Sequence, residues 1–521
     1  MNETGLPLLS LLVLLPLIGG VMVGYSPERL ARSVALTIAV VELLITLWLL
    51  SQFNVAQGQH FQFVDNYQWI PSIGASYMLG VDGLSVLFLP MSALLTVSAI
   101  LASWQTAHLK RLHFALLLAL EGVTIGVFSA LDLLLFFLFW ELTLAPIFFL
   151  IGLWGIGPKR RNAATKYTLM MLSGGVPLLF AIIILALNHA GFGSGHVPQE
   201  LTFSFPVLLE TPLPDALQGW VLLLLVLGFA VKAPLVPFHT WLPTTAIEGP
   251  TQLTALLTGL KLGAFGMLRF ALPLAPSAAV QYSWILGIVG AITLIYAALI
   301  ALQQSNLRRL LAYASISHVG LVIIGISSLN VQGVQGAVFQ LLNFSLIASS
   351  LMLIAGFLQH RLGSTEMVHL GGLAKIMPRL ASLSFLFALA SIGVPGTSGF
   401  PAELLLLIGI FTSHAGIAVA ALAGAVLSAA YMLIYFRGAF FGPLKRPYNP
   451  NDALALDLRP REWLLLAAPA ALVLWLGFSP NSLLNTQQLA AEAWLSHLLD
   501  QPVINVTPVA EQTDSVLTSP E

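Results

Sequence analysis

Several ionisable residues of this sequence lie inside stretches that are otherwise almost wholly apolar. The basic ones are Lys166, Lys232, Lys261 and Arg269. Charged side chains in apolar surroundings are costly to bury and usually serve a function. Lysines, carboxylates and histidines placed in this way can take up and release protons, so the chemistry that they indicate is proton transfer.

Glu141 and Lys232 are the first two candidates for this chemistry. Glu141 lies between Trp140 and Leu142, and Lys232 is closely followed by Pro234. A buried carboxylate stays ionised when a cation lies beside it, and a buried lysine loses its proton readily when that partner is removed. We therefore predict a pair that can separate and act as a two-state proton switch. A static ion pair that only fixes packing is the alternative.

Three further residues extend the predicted path. Lys261 is flanked by glycines that leave room for water, although its side chain could instead reach toward the membrane surface. His318 lies among serines, where relay competes with the role of a satisfied core histidine. Glu403 follows a string of prolines and glycines. Among weaker candidates, His239 could relay protons or cap a broken helix, and Glu121 lies in another apolar stretch.

Other kinds of site find no support in the sequence. The histidines lack the spacing of metal ligands, and there is no cysteine to bind an iron–sulfur cluster. No glycine-rich nucleotide loop follows a strand, and no catalytic triad can be assembled. We therefore predict no metal and no cofactor on this chain, so any redox centre must belong to a partner.

The composition identifies the environment of these residues. Of the 521 residues, 58% are apolar and only 8% are charged, whereas soluble proteins carry about 25% charged residues. A soluble enzyme, a nucleic-acid-binding protein and a disordered scaffold are thereby excluded. The sequence instead indicates a polytopic protein of the lipid bilayer.

The apolar windows predict an all-α protein with about 14 transmembrane helices. A span needs about 20 apolar residues, and a β-barrel would show alternation that is not found here. The windows are 6–23, 33–51, 78–103, 112–130, 132–155, 163–187, 219–242, 251–272, 283–302, 307–327, 333–360, 380–412, 416–440 and 463–483. From about residue 487 the tail is polar, beginning with a predicted amphipathic surface helix.

The basic residues predict the orientation of these spans. Seventeen of the 21 lysines and arginines fall in loops on one side of the membrane, which is the cytoplasmic side by the positive-inside rule. The loops on the other side contain Asp65, Glu200, Glu210 and Asp215 but no basic residue. Both termini are therefore predicted on the outer or luminal side.

Spans 7 and 12 are both predicted to be broken within the membrane. Pro234 and Pro237 interrupt span 7, and a Pro-Gly-Thr-Ser-Gly-Phe-Pro string interrupts span 12. Paired breaks at matching positions are typical of transporters with inverted repeats. We predict helices 1–3 in residues 1–107, five-helix repeats in 112–272 and 283–440, and a C-terminal helix and tail in 441–521.

Four strings around these residues carry a resemblance to a known family. They are 133–141 (LLLFFLFWE), 229–243 with FAVKAP and HTWLP, 311–318 (LAYASISH) and 395–400 (PGTSGF). In these strings the chain resembles the antiporter-like subunits of respiratory complex I and its photosynthetic relatives, most closely the NuoM/NdhD type. The string 65–70 (DNYQWI) and the form HTWLP are more similar to the photosynthetic chain.

The resemblance implies a role for each matched residue. Glu141 and Lys232 correspond to a coupling pair, Lys261 to a central lysine, His318 to the hydrophilic axis and Glu403 to the outlet. It also implies that the chain works without a cofactor of its own, beside other antiporter-like and membrane subunits. The quinone and the iron–sulfur clusters are then expected on those partner subunits.

The sequence departs from the family pattern at two places. Phe344 stands where the family commonly has a histidine in span 11, and Thr244 to Glu248 replace an aspartate and a histidine. Asn343 with water is expected to bridge the first gap, which the resemblance puts between His318 and Glu403. Glu248 could serve at the second.

The expected function is proton translocation in a photosynthetic plastoquinone oxidoreductase of thylakoids, with a role in cyclic electron flow. The departures are similar to those of variants coupled to carbon dioxide uptake, which implies a carbonic-anhydrase-like partner. Two alternatives remain, namely a subunit of a multi-subunit cation/proton antiporter and a structural subunit that no longer conducts.

Overall fold

The computed structural model describes residues 7–106, 108–192, 197–198, 200–445 and 457–499. Within these ranges, twelve helices are long and apolar enough to cross a membrane, and three shorter apolar helices accompany them. The chain is thus a mostly helical polytopic membrane protein, as its composition predicts. The total of 14 spans, the inverted repeats and the residue limits of the four segments stay predictions, and both chain ends lie outside the described residues.

The N-terminal part combines three helices with a β-hairpin. The helices are α1 (Leu8–Tyr25), α2 (Ala31–Gln52) and α3 (Phe88–Ala102), and the antiparallel strands are β1 (Gln62–Ile70) and β2 (Ala75–Val81). The hairpin was not predicted, and the third helix begins at Phe88 rather than at residue 78, because residues 75–81 pair with β1 as a strand. Asp65 ties the hairpin to α1, because its carboxylate accepts hydrogen bonds from the backbone N–H and the hydroxyl of Ser10 at 2.8 and 2.9 Å.

The next part of the chain contains several interrupted helices. They are α4 (Lys110–Ser129), α5 (Leu133–Leu142), α6 (Leu144–Trp154), α7 (Arg160–Phe192), α8 (Phe205–Glu210), α9 (Asp215–Lys232), α10 (Trp241–Glu248), α11 (Thr251–Gly259) and α12 (Leu262–Gly266). The predicted break of span 7 is confirmed, because α9 ends at Lys232 itself. A second break, between α11 and α12, was not predicted.

The last part surrounds two deeply buried helices. It contains α13 (Pro276–Leu302), α14 (Leu307–Ser327), α15 (Val331–Leu362), α16 (Pro378–Ser391), α17 (Gly399–Ser413), α18 (Ala415–Phe440), α19 (Pro460–Phe478) and α20 (Asn481–Leu499). The most apolar windows of α14 and α15 are 94% and 100% buried, so their polar residues face protein. The predicted break of span 12 is confirmed, with Gly393 and Gly396 at φ +69° and +89° between α16 and α17.

The C-terminal helix α20 packs against the body of the protein. It begins at Asn481, a few residues earlier than predicted, and Trp494 donates from its indole nitrogen to the backbone oxygen of Leu268 at 2.8 Å. A buried ion pair lies nearby in sequence, where Arg269 contacts Asp82 at 2.6 Å. This pair joins the end of the α12 segment to the loop that leads into α3.

Candidate functional site

Lys232 lies at the C-terminal end of α9, where the helix stops before its prolines. Its ammonium group donates to the backbone oxygen of Trp140 at 2.9 Å and to the hydroxyl of Thr143 at 2.8 Å, and it sits 3.9 Å above the centre of the Trp140 ring. These acceptors come from the junction of α5 and α6. Because the last carbonyl groups of a helix have no partner within it, this junction offers an oxygen to the lysine.

Glu141 is adjacent to this site but does not contact the lysine. Both of its carboxylate oxygens are buried, and neither has a hydrogen-bond partner among the described residues. No ion pair within 4.0 Å joins Glu141 to Lys232, although the two charges still attract one another. The predicted contact between Glu141 and Lys232 is therefore not formed in this structure, and the switch and the static ion pair both stay predictions.

A small cavity adjoins Lys232 on the side of α4. It has a volume of about 30 Å³ and is lined by Thr124, Thr143, Tyr167 and Lys232 together with apolar side chains. A polar cavity needs about 10–15 Å³ of such volume to hold one water molecule. The site therefore has room for a water that could accept or donate a proton at the lysine.

Lys261 lies at the break between α11 and α12. Its backbone leaves the helical region, at φ −103° and ψ 52°, and its ammonium group donates to the hydroxyl of Ser315 on α14. The side chain is 6% exposed, so the alternative of reaching toward the membrane surface is wrong. The break frees this lysine to point between helices at the depth of His318.

His318, Gln340 and Glu403 form a buried polar cluster that joins α14, α15 and α17. The amide nitrogen of Gln340 lies 3.2 Å from Nδ1 of His318 and 3.5 Å from Oε1 of Glu403, and these two groups are themselves 3.8 Å apart. On its other side, Nε2 of His318 lies 3.3 Å from the hydroxyl of Ser428 on α18. Direct proton transfer between His318 and Glu403 would need these groups to approach to hydrogen-bonding distance, about 3 Å, from the 3.8 Å seen here.

Phe344 lies against one face of the His318 ring, beside this cluster. Its ring stacks on the His318 ring at 3.9 Å between centroids, and the Lys261 ammonium lies 5.9 Å from the centre of the Phe344 ring. The expected gap between His318 and Glu403 is not found, because the two groups are 3.8 Å apart and Gln340 contacts both of them. The Phe344 ring instead contacts His318 and lies near Lys261.

Asn343 supports the cluster rather than bridging a gap. It donates to the side-chain oxygen of Gln340 at 3.0 Å and accepts from the hydroxyl of Ser398 at 2.5 Å. Ser398 belongs to the break that precedes α17. Asn343 thus orients Gln340, whose contacts with His318 and Glu403 are not apparent from the sequence.

The weaker candidates lie elsewhere. His239 packs its ring against Tyr296 and Tyr313, with centroid distances of 5.3 and 6.2 Å. Glu248 accepts a hydrogen bond from the backbone of Lys159 at 2.7 Å. Glu248 therefore ties α10 to a basic loop and does not reach the buried cluster. Glu121 is buried in α4, also apart from it.

Some functional residues escaped the sequence reasoning because their types are ordinary in membrane helices. Thr143, Ser315 and Ser428 are short hydroxyl residues, and only the three-dimensional contacts show that they bind Lys232, Lys261 and His318. No group of three or more histidines, aspartates and glutamates that could hold a metal ion occurs in the described ranges.

Comparison with known proteins identifies the family. Residues 130–428 match the model of the NADH:quinone oxidoreductase/Mrp antiporter transmembrane family. An NAD(P)H-quinone oxidoreductase chain 4 from Synechococcus sp. (strain JA-2-3B'a(2-13)) is 36% identical over 507 residues, covering 95% of this chain and 94% of the relative. The NADH-quinone oxidoreductase subunit M of Rhodobacter capsulatus is 37% identical over 488 residues, covering 91% and 93%.

Solved structures agree with this assignment. A chain of the respiratory complex I from Thermus thermophilus superposes with a TM-score of 0.85 at 32% identity, covering 94% of this chain and 99% of that one. A chain of the Mrp complex from Dietzia sp. DQ12-45-1b gives a TM-score of 0.79 at 22% identity, covering 95% of this chain and 52% of that one, which shows a shared fold. The chain belongs to the family of antiporter-like membrane subunits of complex I, the NuoM/NdhD type.

Proposed function

We propose that this chain translocates protons as a membrane subunit of a quinone oxidoreductase complex. The observation that carries the proposal is the buried cluster of His318, Gln340 and Glu403, which connects three helices beside the break before α17. Such groups would be costly to bury without a use. Lys232 and Lys261, each at a helix break of its own, supply the groups that precede this cluster in the proposed path.

The proposed path has two polar parts separated by one apolar step. Glu141 and Lys232 form the first part, and the cavity beside Lys232 supplies space for water. Lys261 with Ser315 leads toward the second part, which is the cluster of His318 and Glu403. The Phe344 ring stands at the step between Lys261 and His318, so movement of that ring would control transfer.

Electron transfer belongs to the partners in this proposal. We assign the quinone and the iron–sulfur clusters to other subunits, and other antiporter-like and membrane subunits are the neighbours of this chain. The similarity to cyanobacterial NAD(P)H-quinone oxidoreductase chains and the DNYQWI and HTWLP strings support a photosynthetic complex in thylakoids. Phe344 and the altered segment before Pro250 support the variant coupled to carbon dioxide uptake, with a carbonic-anhydrase-like partner.

A second function, that of a structural subunit without conduction, is favoured by one observation. Phe344, which cannot titrate, stacks on His318 and lies 5.9 Å from the Lys261 ammonium, at the position where the family commonly has a histidine. A cation/proton antiporter complex is a further alternative, and it shares the fold. The proteins that co-purify with this chain distinguish the complexes, since quinone-site and iron–sulfur subunits are expected for the proposed function.

The test of the proposed function is the substitution Lys232→Met in the intact complex. It keeps the length of the side chain and removes the proton-binding amine. We expect proton translocation, measured by a pH-sensitive dye in vesicles, to fall by about tenfold or more, since a positioned proton-transfer group contributes about 10²–10⁴ in rate. Assembly should persist.

Lys166→Met provides the matched control. Lys166 binds the backbone oxygen of Thr240 at 2.9 Å and the hydroxyl of Thr244 at 3.2 Å, away from the buried cluster. We expect this variant to translocate protons at nearly the normal rate. Normal translocation by an assembled Lys232→Met complex would show that the lysine is not part of the path.

A further inference from the structure

Two glutamates in the N-terminal half are buried and are not part of the path described above. Glu42 on α2 is fully buried, and Glu121 on α4 is 2% exposed. None of their four carboxylate oxygens has a hydrogen-bond partner among the described residues. Because it is buried, Glu42 faces the interior of this chain. Because the carboxylate oxygens of both glutamates have no partner among the described residues, they are available to bind a proton or another ligand.

The surroundings of the two glutamates offer no counter-charge. The helices α2 and α4 that carry them pack against each other, and no ion pair within 4.0 Å joins either carboxylate to a basic group in the part of the chain that the structure describes. The neighbouring face of α4 packs on α1, where Gly122 meets Val13, Pro16 and Leu17. Two ionised carboxylates cannot be held together in such surroundings without a cation or a proton.

A polar residue connects this region with the site of Lys232. Thr124 lies one helical turn after Glu121, so the two side chains share a face of α4. The hydroxyl of Thr124 is buried and has no hydrogen-bond partner among the residues that the structure describes, and Thr124 lines the cavity of about 30 Å³ that Thr143 and Lys232 also line. An unpartnered hydroxyl beside a cavity of this size is a place where a water molecule can bind.

We propose that Glu42 and Glu121 form a second proton-binding site, in which both carboxyl groups are protonated at rest. The site exchanges protons with Lys232 through water in the cavity beside Thr124. In the transfer, the O–H bond of Glu121 breaks and an N–H bond forms on a neutral Lys232. The Glu42 hydroxyl then donates a hydrogen bond to the Glu121 carboxylate and stabilises its charge.

The first experiment measures the protons themselves, and it does not depend on the proposed translocation. Infrared spectra of the intact complex in H₂O and D₂O at pH 7 identify the C=O band of protonated carboxyl groups. We expect Glu42→Gln and Glu121→Gln each to remove part of this band, and the double variant to remove both parts. Glutamine is uncharged and has the same shape, so assembly should be unchanged.

Glu492→Gln is the matched control, because Glu492 is exposed on α20. It should leave the band unchanged. An unchanged band in the Glu42 and Glu121 variants would overturn the proposal, because the two groups would then be ionised. If the band in the wild-type complex disappears when Na⁺ replaces choline, the site binds a cation and the proposal is also wrong. The comparison of Na⁺ with choline uses the wild-type complex, so it does not depend on whether a variant folds.

The second experiment tests the connection to Lys232, and this part depends on the proposed function. Thr124→Val removes the hydroxyl and keeps the shape of the side chain. We expect the deuterium exchange of the carboxyl band to slow severalfold in Thr124→Val and in Lys232→Met. Normal exchange in both variants would overturn the connection. If Glu42→Gln and Glu121→Gln lose the band while translocation is unaffected, the connection of this site to Lys232 is wrong and the proposed function is not.

Discussion

At the scale of single residues, Phe344 has the largest consequence for the proposed path. It lies beside two titratable groups, since its ring stacks on His318 with an angle of 30° between the planes and its centre is 5.9 Å from the Lys261 ammonium. A phenyl ring can neither accept nor donate a proton. Transfer from Lys261 to His318 therefore needs either movement of this ring or water that passes around it, and both are slower than a direct hydrogen-bonded step.

Phe344→His tests this role. An imidazole in place of the phenyl ring would lie within reach of both His318 and Lys261 and could carry the proton. We expect the rate of proton translocation in vesicles to rise by up to about tenfold, below the full effect of a positioned acid–base group.

Phe344→Leu serves as the control for altered packing, because leucine is apolar and cannot titrate. It should not raise the rate. Equal rates in the histidine variant and in the wild-type complex would show that water already carries protons past Phe344. A rise in the leucine variant as well would show that ring volume, and not titration, limits transfer.

The titratable residues themselves could be predicted from the sequence, whereas their partners could not. Burying a lysine or glutamate in an apolar stretch costs free energy, so such a residue indicates a functional site. Lys232, Lys261 and Glu403 are predicted on this ground. Gln340 carries no charge and is common in helices, so nothing in its surroundings in the sequence marks it. Its role follows only from the crossing of α14, α15 and α17.

At the scale of elements, the helix breaks position the chemistry. Prolines predict the break after Lys232, since proline lacks a backbone donor and obstructs the preceding turn. The break at Lys261 has no proline, and flanking glycines alone did not predict it. The strand β2 was missed because its residues are as apolar as those of a membrane helix, and only pairing with β1 separates the two.

The ion pair of Asp82 and Arg269 is expected to hold two of these elements together. The pair is buried, and the Arg269 guanidinium lies 4.7 and 5.3 Å from the ring centres of Phe61 and Phe205. Asp82→Asn keeps an acceptor for the backbone N–H groups of Leu84 and Ser85 but removes the charge. We expect a loss of about 3–5 kcal/mol in stability, because a buried guanidinium would remain unpaired.

The measurement is the thermal denaturation midpoint of the purified complex, together with the amount of this chain in membranes. The double variant Asp82→Asn with Arg269→Met removes both charges and should recover much of the lost stability. A double variant less stable than Asp82→Asn alone would show that the guanidinium acts through its aromatic contacts and not through the carboxylate.

At the scale of the whole molecule, the distribution of basic residues predicts which face meets the cytoplasm. Arg308, in a loop predicted inside, donates to the backbone oxygens of Ile247 and Gly249 at 3.1 and 2.6 Å, so neighbouring inner loops meet at that end. The hairpin of β1 and β2 belongs to a loop that is predicted to lie on the outer or luminal side of the membrane. The contacts are compatible with the predicted arrangement, but the direction of the chain across a membrane stays a prediction.

Single-cysteine labelling determines this direction, and the chain offers a clean background because it contains no cysteine. Tyr67 on β1 and Val368 between α15 and α16 are 53% and 69% exposed, so Tyr67→Cys and Val368→Cys should be tolerated. In sealed vesicles with the cytoplasmic face outward, a membrane-impermeant maleimide that shifts the mass of this chain should label Val368→Cys. Tyr67→Cys should react only after the vesicles are opened.

The two variants control one another, because each reports the opposite face with the same reagent. Labelling of both before opening would mean leaky vesicles, which a trapped dye detects. Labelling of Tyr67→Cys alone would invert the predicted orientation. The contacts among the buried residues are the same whichever way the protein faces, so an inverted chain would carry the order from Lys232 to Glu403 in the opposite direction across the membrane. The basic loops would then lie on the outer side, against the orientation that the positive-inside rule predicts.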